Sequence, residues 1–353
     1  MSQGMDLAVG PRGARPDASL STFTTGASAW TWKVLLLVGA YVAVGYATAA
    51  ALDLPLHWPM AHLATQIQMV TVLAYASLAV AYVLDRALPQ ARLGDLAARL
   101  LSVQVFIEFV AAMLVVHVTL AVFVNLKQYI PAINPALYDS PLWRLDAWLH
   151  FGIEPAVWAN EFAARHGLMP FLDTMYLVFF PVQVLVPLLF LFSTRLRPVR
   201  GTFFAAYCMI WMVGSAIYVL WPALGPVYYR PMRFLTLDLA PFAEHLQWTL
   251  IQDYARFRAG PEYYAVKLYY GVAALPSLHV GMFTLFSLAT WRWRSLSIVL
   301  WALTAITFAG SLALGWHYAV DGYAGALMAW GVWRLGRTFV SEGGATSAAL
   351  QES

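Results

Sequence analysis

Charge is what this sequence has least of. Asp, Glu, Lys and Arg make up 11% of its 353 residues and hydrophobic side chains 61%, whereas soluble domains carry roughly 25% charged residues. So little charge cannot cover a large globule with polar surface. A water-soluble fold is therefore excluded, and with a mean hydropathy of +0.65 the economical reading is a polytopic membrane protein. The 21 basic and 18 acidic residues leave a net charge of +3 without any basic run, which excludes an ordinary nucleic-acid binder. Cysteine is nearly absent. Cys208 alone permits no internal disulfide framework and no multi-cysteine metal site, and its place within an apolar run makes it a small buried filler. A cleavage site is also lacking behind the first apolar stretch, near Lys33, so we expect a retained anchor rather than a secretory signal.

What the sequence has in abundance is long apolar runs. Eight stretches approach the ~20 helical residues that cross a bilayer, at roughly 34–52, 66–84, 100–124, 171–193, 202–221, 275–290, 298–315 and 318–335. The expected fold is therefore all-α: a polytopic transmembrane bundle of about eight spans, with a six-helix catalytic core in the C-terminal three quarters. Residues 1–32 read as a flexible tail, 33–95 as two extra N-terminal spans, 96–337 as the membrane core and 338–353 as a C-terminal tail. Pro181 and Pro187 are expected to kink the fourth span.

Orientation follows from the placement of Lys and Arg. One set of short connections carries Arg86, Arg92, Arg99, Arg195, Arg197, Arg200, Arg292 and Arg294, whereas the short connection at 53–65 on the other side carries none. The basic side, with both termini, is expected to be cytoplasmic. On the opposite side, Asp146 to His166 mixes Trp148, Phe151, Trp158 and Phe162 with charges and reads as one helix lying in the interface.

Two short sequences carry chemistry. Ala274-Leu275-Pro276-Ser277-Leu278-His279 opens the sixth span, and Gly315-Trp316-His317-Tyr318-Ala319-Val320-Asp321 lies where the seventh meets the eighth. The 38 residues between His279 and His317 would rise ~57 Å as helix, two bilayer crossings, which returns both histidines to one side. Residues 222–231 fall on that side too. His317 and Asp321, four apart, share a helical face. The carboxylate can hold one imidazole nitrogen protonated and leave the other free as nucleophile or base. A second histidine could protonate a leaving group. Two histidines and an aspartate also suit zinc or iron, and spacing alone does not separate the two readings; our assignment takes no metal and no cofactor.

At these residues a resemblance is recognisable. Pro276-Ser277-Leu278-His279 together with His317-Tyr318-Ala319-Val320-Asp321-Gly322-Tyr323-Ala324-Gly325 resembles the type-2 phosphatidic acid phosphatase superfamily. It is most similar to the branch containing inositol phosphorylceramide synthase. The likeness extends loosely over 140–335, including the helix start at Asp173–Tyr176 and the run Trp221-Pro222-Ala223-Leu224-Gly225-Pro226. The resemblance implies that His317 attacks phosphorus to form a phosphohistidine, that Asp321 orients it, and that His279 protonates the departing oxygen. It also implies a lipid phosphate or phospholipid donor and an acceptor that is an alcohol lipid or water, handled on the periplasmic, extracytoplasmic or lumenal face.

The sequence departs from the phosphatase pattern at two cations. Ser311 stands where the family has an Arg six residues before the second histidine. Ala223 stands where it has a Lys seven before the pair matched here by Arg230-Pro231. An anion in a low-dielectric site needs charge-assisted partners. The candidates are Arg230 first, then Arg233, Arg256, Arg258 and Lys267, with Ser277 either aiming at phosphate or capping its helix. The missing cations favour a transferase over an ordinary phosphatase, or else a site whose cations come from the 232–274 loop; a simple lipid phosphate or polyprenyl pyrophosphate phosphohydrolase is the alternative. A proton-coupled lipid transporter is the rival from another class, but it needs polar residues spread through the middle of several spans. Elsewhere, Glu108 and His117 read as satisfied structural polars of the third span, Asp173 as a first-turn residue of its helix, and Tyr263, Tyr264, Tyr269 and Tyr270 as headgroup anchors.

Overall fold

A computed structural model describes residues 29–58, 63–85, 103–260 and 274–340. Of the expected tails at 1–32 and 338–353, residues 1–28 and 341–353 lie outside the described residues, as do Arg86, Arg92, Arg99, Lys267 and the four tyrosines from Tyr263 to Tyr270; residues 29–32 and 338–340 are helical rather than tail. Within the described residues the chain is all-helical, and each of the eight expected stretches coincides over most of its described residues with a helix. They form α1 (Ala29–Leu52), α2 (Leu63–Asp85), α3 (Val103–Ile133), the pair α6 (Met169–Leu177) and α7 (Phe179–Phe192), α8 (Arg200–Leu220), α11 (Leu278–Ala289), α12 (Arg294–Ala313) and α13 (Ala319–Val340). Between them lie α4 (Asp139–Leu149), α5 (Pro155–Arg165), α9 (Pro226–Tyr229) and α10 (Pro241–Ala259).

Five helices, α1, α2, α3, α8 and α12, are long and apolar enough to cross a membrane, and α6 with α7 makes a sixth if the bent pair is one span. The chain is a multi-pass membrane protein. Among the described residues, five or six of the eight expected spans thus meet the length and composition of a membrane-crossing helix. The difference lies in α11 and α13. At 12 residues α11 rises only about 18 Å, and α13 has the length but carries Asp321, Arg334 and Arg337.

The fourth span bends by 40° between Leu177 and Phe179. Pro181 accounts for the place of the bend, because its ring would collide with the carbonyl of Leu177 four residues earlier. Pro187 lies inside α7 without interrupting it. The third span runs further than its apolar run suggests, through Lys127 to Ile133.

Packing places α11 at the centre, against α8, α12 and α13, while α1 lies on α3 and α8, and α2 on α7. Gly325 makes the closest approach possible, since a Cβ there would strike the Ser277 carbonyl at the start of α11. Around this contact the core is aromatic. Phe190 and Phe203 stack with centroids 3.8 Å apart, and Phe286 follows at 6.0 Å from Phe203. Each such buried ring contributes roughly 1.5–3 kcal/mol of apolar burial where its reference is water.

The interfacial segment is two helices, not one. The chain turns between α4 and α5 at Phe151 and Gly152, both at positive φ (57° and 89°). In α4 the buried residues Asp139, Leu142, Trp143 and Asp146 recur at helical spacing, while Trp148 and Leu149 are exposed, as are Phe151, Trp158 and Phe162 beyond them. This polar-in, apolar-out pattern suits a helix between a polar site and lipid.

Candidate active site

The two histidine segments and residues 222–229 meet at one end of the bundle. His279 is the second residue of α11, and His317 lies two residues before α13. Their rings lie 6.3 Å apart between centroids, inclined at 60°. His317 Nδ1 faces the Asp321 carboxylate at 3.4 Å, and both side chains are buried, Asp321 completely. The same carboxylate oxygen accepts the Tyr318 N–H at 2.9 Å, so Asp321 caps the helix that presents His317. Its other oxygen has no partner. With Nδ1 committed to Asp321, Nε2 of His317 is the free nitrogen.

His279 sits in an aromatic box. Tyr176 stacks on it at 4.6 Å and Phe179 lies at 4.1 Å. The Tyr176 hydroxyl and His279 Nδ1 hydrogen-bond at 3.2 Å, and Nε2 is enclosed without a partner. A buried, unpaired ring nitrogen beside a second histidine is the kind of group that a substrate atom satisfies. Among the described residues no three His, Cys, Asp or Glu side chains converge as metal ligands.

The third segment is tied in through backbone. Val227 N–H donates to the Gly315 carbonyl at 3.0 Å, Ala274 N–H to the Ala223 carbonyl at 2.9 Å, and Ser277 N–H to the Asp321 carbonyl at 2.9 Å. Gly225 adopts φ +112°, and a Cβ there would press on the Trp316 carbonyl. Only glycine meets both demands.

Carboxylates from outside the histidine motifs hold these pieces. Asp139 accepts the N–H groups of Leu224 and Gly225 and the Tyr318 hydroxyl, at 2.8–3.1 Å. Asp146 accepts Ala319 and Val320 N–H, each at 3.0 Å, at the start of α13. Burial pushes both carboxyls above their ordinary range, against the pull of these N–H donors. Asp173 is a correction. It is the fifth residue of α6 rather than a first-turn residue, and its carboxylate caps another helix, accepting Phe242 and Ala243 N–H at the start of α10. Its service to a helix dipole is real, but the helix is a different one.

The candidate cations divide. Arg233 is paired with Glu154 at 2.8 Å and Arg256 with Asp253 at 3.3 Å. Arg230 is exposed and lies over the Trp143 and Tyr229 rings at 5.1 and 5.5 Å, and Arg258 is exposed at the end of α10. Ser277 N-caps α11, its Oγ accepting the Val280 N–H. Ser311 and Ala223, at the two cation positions, are buried. The Ser311 hydroxyl donates to the Phe308 carbonyl while its own carbonyl accepts the His317 N–H at 3.2 Å.

Residues 140–335 match the family model described as PAP2 superfamily. The chain belongs to the PAP2 superfamily. It is accordingly a membrane enzyme of the type-2 phosphatidic acid phosphatase superfamily, with a function of the lipid phosphatase or phosphotransferase type. The matched stretch runs from α4 to α13 and so contains every element that meets at the site. No curated protein and no solved structure matches the chain significantly.

Sequence reasoning missed Asp139 and Asp146, and it named Tyr176 without its contact with His279. Asp139 and Asp146 are seven apart on a short amphipathic helix, and that spacing on its polar face was the available signal.

Proposed function

We propose that this enzyme moves a phosphate-bearing headgroup from a lipid donor to an acceptor alcohol through a phosphohistidine on His317, in the manner of the inositol phosphorylceramide synthase-like branch. The observation that carries the reading is the arrangement of three groups: His317 with Nδ1 on Asp321 and Nε2 free, and His279 with an unsatisfied Nε2 a ring's breadth away.

Each group then has a task. With Nδ1 fixed by Asp321, the lone pair of His317 Nε2 attacks phosphorus. The bond from phosphorus to the departing ester oxygen breaks as the N–P bond forms. His279 acts as the imidazolium: its Nδ1–H donates to the Tyr176 hydroxyl oxygen, and its Nε2 gives a proton to the departing oxygen, which leaves a neutral imidazole. In the second half, His279 takes the proton of the acceptor hydroxyl, whose oxygen attacks phosphorus and returns the electron pair of the N–P bond to His317. Two displacements replace one difficult step. If water is the acceptor, the same cycle is hydrolysis.

We further propose that the site opens on the non-cytoplasmic face with both termini cytoplasmic, as the charge asymmetry of the connections supports. Residues 96–337 would form the catalytic core and residues 33–95 two accessory spans. The decisive experiment uses purified protein in detergent with lipid monophosphates, inositol phospholipids and polyprenyl pyrophosphate, each with and without ceramide or diacylglycerol. A new phospholipid formed only with an acceptor, and lost in His317→Ala, is the expected result. Free phosphate from monoesters alone would make it a phosphohydrolase. Full turnover by His317→Ala would refute the covalent route.

A further inference from the structure

The site described so far has two histidines and an aspartate but no unpaired cation among them, although its proposed substrate is a phosphate. Arg233 and Arg256 are neutralised by their own carboxylates, and Arg230 is spread over two aromatic rings at the surface. The molecule does hold one ammonium in an unusual place. Lys127 lies on α3, six residues before its end, inside a helix that is otherwise apolar enough to span a bilayer. It is only partly accessible, and among the described residues no carboxylate lies within ion-pair distance of it. An uncompensated charge within a span is costly and calls for a counter-charge.

Two observations point to where that counter-charge would sit. The Lys127 ammonium lies over the Tyr218 ring, 5.9 Å from its centroid, a contact that offsets part of the cost. Tyr218 is itself buried on α8, one turn beyond Gly214, where a Cβ would strike the Leu278 side chain in the first turn of α11. The ammonium therefore stands towards the start of α11, where the helix dipole favours an anion.

We propose that Lys127 is the phosphate-binding cation of this active site, supplied by a helix outside the family-matched residues to take the part left empty at Ala223 and Ser311. The inference rests on the phosphoryl-transfer reading above. A lysine suits this place because a compact ammonium on a flexible stem follows the phosphoryl group as it shifts from ester to histidine. It also explains how α3 belongs functionally to a site whose other parts all lie between α4 and α13.

The test is a titration of the full-length protein in detergent with inorganic phosphate, followed by thermal unfolding, in the wild-type and His317→Ala backgrounds. Lys127→Met keeps the stem and removes the charge; it should weaken phosphate binding roughly ten- to a hundredfold in both backgrounds, with the melting temperature without phosphate held or raised. Lys127→Arg should retain most of the binding, and Lys127→Gln serves as a second neutral variant where the methionine form does not fold. Unchanged phosphate affinity in the neutral variants overturns the proposal, as does a wild-type protein blind to phosphate. So does a loss confined to Arg230→Ala. If instead His317→Ala keeps turnover while Lys127→Met loses phosphate, the covalent route fails and the cation assignment stands.

Discussion

The two ends of the bundle use the same device for different purposes. At the end away from the histidines, Asp85 at the tip of α2 accepts the Ser193 and Thr194 hydroxyls and the Thr194 N–H, tying the loop after α7. Beside it Arg200 pairs with Glu108 at 2.6 Å and donates to the carbonyls of Phe190 and Leu191. At the histidine end, Asp139, Asp146, Asp173 and Asp321 each accept backbone N–H groups. A carboxylate paired with a buried guanidinium stores charge in a closed ion pair and can only hold. A carboxylate capping N–H groups leaves the positive end of a helix neutralised from outside the site, so the histidine beside it is positioned without any cation being consumed. The first arrangement is architecture, and the second is architecture that leaves chemistry free.

The largest effect expected from this contrast is at His317. His317→Ala should reduce turnover by about 10⁴-fold or more, roughly 5 kcal/mol in barrier, with little change in unfolding; steady-state assay beside thermal melting checks both. Next comes the opposite end. Glu108→Ala strands a buried guanidinium and should cost about 3–5 kcal/mol of stability, yet turnover per folded molecule should match wild type. Were that variant stable but inactive, the two ends would not be separable.

A paired comparison is sharper still. Asp85→Asn and Asp146→Asn should each cost about 1–2 kcal/mol, but only Asp146→Asn should also lower kcat, by roughly tenfold, because only Asp146 holds the helix behind His317. Equal kcat in the two variants would break the distinction. The smallest effect is one of pH. In the folded chain the Asp146 carboxyl titrates above its ordinary value of 3.8, so between 3.8 and that raised value the native state binds more protons than the unfolded one. Its contribution to stability therefore falls as pH rises through that window. Asp146→Asn should flatten this part of the stability profile measured by denaturant unfolding.

Much of this was legible in the residues. Apolar runs of spanning length gave the helices, because a run without charge has few alternatives in lipid, and the separation of His279 from His317 predicted their meeting. The end of α3 was not legible. The apolar run stops near Val124, but the helix continues to Ile133, so Lys127 reads from sequence as a loop residue. Asp173 was misread for a related reason: a carboxylate near a helix start serves whichever N-terminus packs closest, and only tertiary structure says which. Asp139 and Asp146 likewise act on partners 85 to 179 residues away, beyond any periodic signal. The 40° bend shows the converse, since Pro181 announces it four residues downstream of the carbonyl it displaces.

The two faces of α4 have a mechanical meaning. One face grips the backbone behind His317 and the loop at Gly225; the other turns Trp148 and Leu149 outward, next to a Phe151 that is 98% exposed. Whatever presses on those rings presses on the clamp. Turnover in bilayers should accordingly follow lateral pressure and acyl packing at the surface.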